Sequence, residues 1–404
     1  MRTARIFLWS ASGVLALLVG TASAVISNQV KYPSKSAALG VGPMGQVQAN
    51  LAFASYAVRQ ATDRKAVVSS HERELASSAY RKEPLSSAAL GLLIASFDRA
   101  NDAKREKLLD LGGRLTRRSS LITSASVEAA ARRNDEHSFF RWLSRGILTN
   151  ESLRATYIGA MAQATARPGA DATLAPVLGA KPSWSARYWK TVLGTPESLV
   201  NAAKLRIRVA RAPWKQTDIT DADPVLMLYL VRDGHFDTAR QLSQVLGRPH
   251  QASTGQGDDV ALANFSRQPL LPPMDWQLAS SGNLGATIEP ERKLLSISAI
   301  AGARGYAARR LVELAPGSYE LDWTISANTA LDKGMLTARL DCAEKGGNSN
   351  VAQEVDLDAG RQRADLTLAN DTCRWHWFSI NLNVPDSASG VDAQLHGLNL
   401  KHVR

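Results

Sequence analysis

The sequence predicts a multidomain chain, α then β: an amino-terminal transmembrane or signal helix, an α-helical repeat domain, and a carboxy-terminal antiparallel β-sandwich of jelly-roll-like type. Three observations predict it. Residues 6–26 form an apolar run. From Gly45 to about Gly247, apolar residues recur at three- and four-residue spacings. After Asp275 the pattern changes to short period-two runs between turn signals. A length of 404 residues leaves room for two or three domains, each with its own core. At 45% hydrophobic and 21% charged residues, the chain is neither a disordered tail nor a many-span membrane protein.

The amino terminus reads as an export signal. Arg2 and Arg5 precede the run from Ile6 to about Ile26, which is interrupted only by small residues such as Ser10, Gly13, Gly20 and Thr21. Its length just spans a hydrocarbon core of ~30 Å. Ala22-Ser23-Ala24 also reads as a cleavage site, so a retained inner-membrane anchor and a cleaved signal both stay open. Either way the bulk of the chain lies across the membrane: with a retained anchor the positive-inside rule leaves Arg2 and Arg5 in the cytoplasm and the bulk in the periplasm, and with a cleaved signal the product is soluble in the periplasm or secreted.

The middle, residues 45–247, is expected to be helical. Leu85 to Phe97 and Lys104 to Leu115 read as an antiparallel pair joined at Asn101-Asp102. Val127 to Arg133 and Phe139 to Leu148 read as the next pair, joined near Asn134-Asp135. The 33-residue step from Asn101 to Asn134 fits stacked helix pairs that bury their apolar faces only on one another. In the last unit, Leu226 to Arg232 is followed by Gly234, Phe236 and Ala239, then Leu242 and Leu246. Gly234 supplies a positive φ at a tight helix exit, Phe236 plugs the groove between paired helices, and Ala239 allows close backbone approach. This spacing resembles the tetratricopeptide pattern. The other units depart from it, with Asn at the turn and Glu106 or Phe139 in the small position, so the domain is expected to be a degenerate array of four or five pairs. Between Pro168 and Trp184 the phase is lost, and an irregular connection is expected there.

Residues 248–264, with Gln251-Ala-Ser-Thr-Gly-Gln-Gly-Asp-Asp259, read as a linker. Residues 265–404 then carry eight expected strands: 294–300, 309–314, 319–325, 336–342, 351–357, 362–368, 375–382 and 393–400. Tyr319, Leu321 and Trp323 alternate with Glu320, Asp322 and Thr324, so the first set is expected to face the core. Charge supports the same division. Residues 265–404 hold 14 Lys and Arg against 16 Asp and Glu, while residues 1–264 hold 34 against 21. The positive excess beside a membrane fits anionic head groups or acidic polymers, or simply a solvated helical face.

The order of these parts resembles a family of proteobacterial envelope proteins with an anchor, tetratricopeptide-like repeats and a carbohydrate-binding-like sandwich. The residues that carry the resemblance are Leu271-Pro272-Pro273-Met274-Asp275-Trp276, with Met where the family tends to have Phe, then Pro316-Gly317-Ser318-Tyr319, and the pair Cys342 and Cys373. The resemblance implies association with polysaccharide export or capsule assembly.

Candidate chemistry is sparse. Cys342 and Cys373 are expected to pair as a disulfide in an exported domain, with two buried thiols as the alternative. The bridge would contribute roughly 3 kcal/mol on the chain-entropy model. In Trp375-His376-Trp377-Phe378, a strand puts Trp375 and Trp377 on one face, where they form either a platform for sugar rings, extended by Trp276, or core. Trp184, Tyr188 and Trp189 follow helical spacing and read as core. The paired carboxylates Asp221 and Asp223, or Asp356 and Asp358, could serve as acid and base or hold Ca²⁺, and read more simply as solvated. His71-Glu72 lacks the second histidine of a metalloprotease helix. Nucleophile-elbow, phosphate-loop and dinucleotide fingerprints do not occur. No catalytic residue, metal or cofactor is expected. Nucleic acid is not an expected partner, because the basic residues lie beyond the export signal without interleaved aromatics.

The function expected from these features is that of a non-enzymatic, membrane-anchored periplasmic scaffold or adaptor. Its helical repeats would hold an envelope protein complex, and its sandwich would bind glycan or protein. The alternatives are an envelope enzyme acting on polysaccharide and a purely structural interaction module.

Overall fold

The computed structural model describes residues 2–403 except 41–43, 64, 98–102, 248–258, 261, 263–264, 345–352 and 369–372. The expected junction at Asn101-Asp102 and most of the expected linker lie outside the described residues. The helices in chain order are α1 (Arg2–Asn28), α2 (Pro33–Leu39), α3 (Met44–Thr62), α4 (Ser70–Lys82), α5 (Ser87–Ser96), α6 (Ala103–Leu115), α7 (Ser120–Arg132), α8 (Glu136–Thr149), α9 (Arg154–Ala164), α10 (Ala170–Gly179), α11 (Ser185–Val192), α12 (Leu199–Ala210), α13 (Ala222–Arg232) and α14 (Phe236–Leu246). The strands are β1 (Asp259–Val260), β2 (Gln277–Leu278), β3 (Leu284–Glu289), β4 (Leu294–Ala299), β5 (Arg304–Glu313), β6 (Gly317–Ala327), β7 (Leu336–Cys342), β8 (Gln353–Asp356), β9 (Gly360–Leu368), β10 (Trp375–Asn383) and β11 (Val391–Val403).

Packing divides the chain into two compact units, residues 1–161 and 162–404. The expected cut at 248–264 therefore marks a change of secondary structure, and the packing boundary falls earlier, inside α9.

In the first unit, α1 contains an 18-residue stretch, Ala11–Asn28, of mean hydropathy 1.6, long and apolar enough to cross a membrane. Four of the helices that follow, α4, α5, α7 and α8, begin at side-chain caps. Ser69 accepts from the Glu72 amide while Glu72 reaches back to the Ser69 amide, closing a capping box on α4. Ser86 caps α5, Ser119 caps α7 and Asp135 caps α8 more simply, each side chain accepting from the backbone amide three residues on. Small residues allow close helix approach: Ala49, Ala79 and Ala89 are fully buried together. A Cβ on Gly146 would come within 2.5 Å of the Tyr157 ring. The α7–α8 turn runs through Asn134 at φ 52°, so asparagine does serve there in place of glycine.

The second unit opens with helices where an irregular connection is expected. Residues 170–179 form α10 with Pro176 inside it, because Ala170, Asp171, Leu174, Ala175 and Leu178 build one buried face. That periodicity prevails over the Gly and Pro content flanking it. At the end of the helical stretch, Gly234 takes φ 83°, Phe236 is buried and Ala239 is fully buried, each as expected. The exit of α13 is thus a glycine turn that lets α14 fold back.

All eight expected strands are present, with small shifts at their ends. Val351 and Ala352, at the start of one expected run, lie outside the described residues. The runs β1, β2 and β3 were not expected. The strands form two antiparallel sheets, in the orders β3-β4-β11-β6-β9, with β1 on β11, and β2-β5-β10-β7-β8. Between them lies one core built from Tyr319, Leu321, Trp323 and Ile325 of one sheet and Ala338, Leu340, Phe378, Ile380 and Leu382 of the other. Glu320, Asp322 and Thr324 point the other way and are more exposed, as the alternation predicts.

A second core joins sandwich and helices. Leu199, Ala203, Ile207, Leu226, Leu230, Phe236, Ala239 and Leu242 pack with Leu271, Leu311 and Trp375. One end of the outer face of the five-stranded sheet is therefore already covered by α12, α13 and α14.

Candidate functional site

The outer face of the five-stranded sheet is the surface on which chemistry-bearing side chains gather. Register defines a row that crosses all five strands: Gln277 opposite Arg309, Arg309 opposite Ser379, Ser379 opposite Arg339, and Arg339 opposite Glu354. On the helix side of it lie Leu311, Trp377 and Asp341; on the far side lie Tyr306, Asn381, Thr337 and Asp356. The three rows cover about 13 Å along the strands at the usual rise per residue.

An aromatic and guanidinium strip runs through these rows. The Arg309 guanidinium carbon lies 4.3 Å from the Tyr306 ring centroid and 4.6 Å from that of Trp377, and all three side chains are half-buried. Arg309 is steadied by donating to Gln277 Oε1 at 2.9 Å. Around the strip the polar groups are held by one another. Arg339 donates to Asp341 at 2.8 Å, Thr337 to Glu354 at 2.8 Å and Asn381 to Ser379 at 3.2 Å. The Asp341 hydrogen bond and charge raise the Arg339 guanidinium above its ordinary pKa. Such a face offers pre-positioned donors and acceptors beside rings with apolar faces, the combination that a polyhydroxylated ring can meet from one side.

The structure separates the three candidate tryptophans. Trp375 and Trp377 share a face of β10, as expected, and that face is the outer one. Trp375 is only 3% exposed, tilted against Phe236 at 5.7 Å between centroids, with Arg240 and Arg374 over its ring at 5.7 and 5.6 Å. It packs the sandwich onto α14 and leaves no free ring face for a platform. Trp276 is 5% exposed, set between Phe265 and Phe378, each 6.1 Å away, and donates to the Leu262 carbonyl at 3.1 Å. It is core on the inner side and cannot extend an outer platform. Trp377 alone of the three reaches the half-exposed face.

Sequence reasoning missed Tyr306 and Arg309 as partners of Trp377. Their spacing of three is wrong for two residues on one strand face. A β-bulge explains it: Ile380 pairs with Ala308 but Asn381 pairs with Tyr306, so Ala307 is the extra residue and Tyr306 turns to the same side as Arg309.

Cys342 and Cys373 form a disulfide with Cα atoms 5.9 Å apart. Among the described residues, the one cluster with metal-ligand character is Cys342, Glu344 and Cys373, whose two sulfurs are the bridged ones. The paired carboxylates Asp221 and Asp223 part company. Asp221 is 93% exposed, while Asp223 is 2% exposed and salt-bridged to Arg206 at 2.8 Å. A buried, paired carboxylate of this kind is not poised as a base. Asp356 accepts from the Gly334 amide at 2.9 Å, and Asp358 lies exposed. Glu72 belongs to the α4 capping box. Trp184, Tyr188 and Trp189 are buried in mutual edge contact, as the core reading requires.

At the strand ends of this sheet, next to α14, a cleft of about 400 Å³ is lined by Asp233, Phe236, Asp237, Glu344, Arg374 and Trp375, among others. Its charges are largely cross-paired: Arg374 bonds Glu313 at 2.5 Å and Asp237 at 3.1 Å, and Arg240 also bridges to Glu313. These contacts tie α14 to β5 and to Arg374, the residue just before β10.

No family model matches the chain, and no curated protein matches it. Among solved structures it is similar to a CBM4 carbohydrate-binding module, with 13% identity over 32% of this chain and 88% of that one, at a TM-score of 0.24. It is similar to the CBM22-1 xylan-binding domain from Paenibacillus barcinonensis Xyn10C, with 11% identity over 36% of this chain and 96% of that one, at a TM-score of 0.23. A third is TmCBM61, solved with β-1,4-galactotriose, with 12% identity over 32% of this chain and 88% of that one, at a TM-score of 0.22.

Proposed function

We propose that this chain is a non-catalytic, membrane-anchored binding protein whose sandwich takes glycan on the outer face of its five-stranded sheet. The observation that carries the reading is the half-exposed strip Tyr306–Arg309–Trp377, set in a row of mutually held polar groups. Ring faces give a sugar apolar contact, and Ser379, Asn381, Arg339 and Asp341 give its hydroxyls both donors and acceptors. The carboxylates on this face are engaged by Arg339, Thr337 and the Gly334 amide, which suits holding a ligand better than moving protons.

In this reading α1 holds the chain at the inner membrane with the bulk in the periplasm. A disulfide at Cys342–Cys373 fits an oxidising compartment. The helices, read as degenerate tetratricopeptide-like pairs, hold an envelope protein complex, and the glycan is one handled in exopolysaccharide or capsule assembly. Electrophoresis of the full chain in micelles through gels containing soluble polysaccharides is the first test. Retardation by at least one polysaccharide, relieved in Trp377→Ala, is the expected result. Free migration in every gel by a folded chain overturns the glycan reading. In that case the sheet face is a surface for protein contact, a use its Leu311 and Trp375 end already has within the chain.

A further inference from the structure

The first unit contains a cavity of about 330 Å³ between α6, α7 and α8 whose wall is rich in arginine. Arg114, Arg133, Arg141 and Arg145 line it, against two carboxylates, Glu106 and Asp110. Each carboxylate is committed: Glu106 to Arg133 at 3.3 Å and Asp110 to Arg114 at 2.8 Å. Arg141 and Arg145 stand one helical turn apart on the same face of α8 and supply the excess of positive charge. Arg141 is steadied on the Ser138 hydroxyl at 3.4 Å, and Arg145 lies over the Trp142 ring at 4.6 Å. Burial lowers the Arg145 pKa, and the charges of Arg141 and Arg117 lower it further, the direction expected where positive charge gathers.

We propose that this cavity binds a phosphomonoester dianion, carried either on a soluble sugar phosphate or on a lipid that ends in a phosphomonoester. Two guanidinium forks beyond the internal ion pairs match the charge of a dianion and can each present two N–H donors to its oxygens. An apolar floor of Leu109 and Ala129 and the wall formed by Trp142 keep water from screening the contact fully. A carboxylate, with one charge and two oxygens, leaves half of that positive excess unbalanced.

The experiment is calorimetric titration of the full chain in micelles with inorganic phosphate, glycerol 3-phosphate, glucose 1-phosphate and acetate. Saturable binding of the phosphates, at least tenfold tighter than acetate and weakened by added NaCl, is the expected result. Arg141→Gln with Arg145→Gln should weaken it at least tenfold. The single Arg141→Gln, at an exposed side chain, carries the same test if the double variant melts early. Preference for glycerol 3-phosphate assigns a lipid source, and preference for glucose 1-phosphate a sugar phosphate; both uphold the phosphate class. Absence of saturable phosphate binding, or equal affinity in a folded Arg141→Gln chain, overturns the proposal.

Discussion

Asp221 and Asp223 sit two residues apart, yet the same substitution should cost much stability at one and almost none at the other. Asp223 is 2% exposed and takes the Arg206 Nε at 2.8 Å and Nη2 at 3.1 Å, plus the Thr220 amide at 2.7 Å and hydroxyl at 3.0 Å. Arg206 is 3% exposed and also donates to the carbonyls of Gln216 at 2.5 Å and Asp218 at 2.7 Å. The cluster pins the loop between α12 and α13. Asp223→Asn leaves a buried guanidinium without its counter-charge, which costs about 3 to 5 kcal/mol where one partner of a buried pair is removed. The two carbonyls that Arg206 keeps place the expected value toward 3. In a unit of this size that is a fall in melting temperature of roughly 6 to 12 °C. Asp221, 93% exposed with Lys190 3.9 Å away, should tolerate Asn with a change below about 0.5 kcal/mol. The assay is thermal unfolding followed by tryptophan fluorescence, on both variants beside the parent chain. Equal melting of Asp223→Asn and Asp221→Asn would refute the argument that burial decides the worth of this pair.

Three more expectations follow from the same geometry. Burial pushes the Glu72 carboxyl up, but hydrogen bonds from Arg59, the Ser69 amide and the Ser55 and Ser69 hydroxyls outweigh it and hold the pKa at about 2. Because the folded value is depressed, its stabilisation is full above pH ~4.5 and is lost as pH falls toward 2; with screening through half-exposed Arg59 it is on the order of 2 kcal/mol. Melting curves from pH 6 to pH 2.5 should lose part of their slope in Glu72→Gln, and an unchanged slope would count against the assignment. Replacing Cys342 and Cys373 with Ser, or reducing them, should lower stability by about 3 kcal/mol, read by denaturant titration; no shift in the midpoint would mean the bridge constrains little. The segment 265–404 made alone uncovers Leu311 and Trp375, which are 2% and 3% exposed in the chain. It should bind a hydrophobic dye and aggregate, whereas a segment from residue 162 should not; a soluble, dye-free 265–404 segment would contradict the shared core.

Period and punctuation made much of the fold legible. The alternation of Tyr319, Leu321 and Trp323, the turn at Gly234 and the eight strand cores are local signals, and the structure places them as read. The helix α10 was masked by its flanking Gly and Pro, although its buried positions repeat regularly. The packing boundary near residue 161 was not legible, because the contact of Phe236 with Trp375, and the core that Leu242 and Leu311 share, join residues far apart in sequence. The candidate face was half legible. Trp377 stood out in an aromatic cluster, but which side of β10 faced outward depended on the partner sheet. Tyr306 was hidden by the bulge at Ala307, which breaks the period-two rule on which strand reading rests. The pairing of Asp223 with Arg206 likewise depends on a loop bringing two helices together, and residue type alone gave no sign of it.

In the proposed function the strip Tyr306–Arg309–Trp377 holds a sugar chain. Its most direct measurement is calorimetric titration of the full chain, and of Trp377→Ala and Tyr306→Ala, with the polysaccharide that retards it in gels. Loss of one stacking ring should cost about 1 to 1.4 kcal/mol, a roughly five- to tenfold weakening in each variant with melting temperature nearly unchanged. Undiminished affinity in both folded variants would contradict the account and place the ligand elsewhere on the chain.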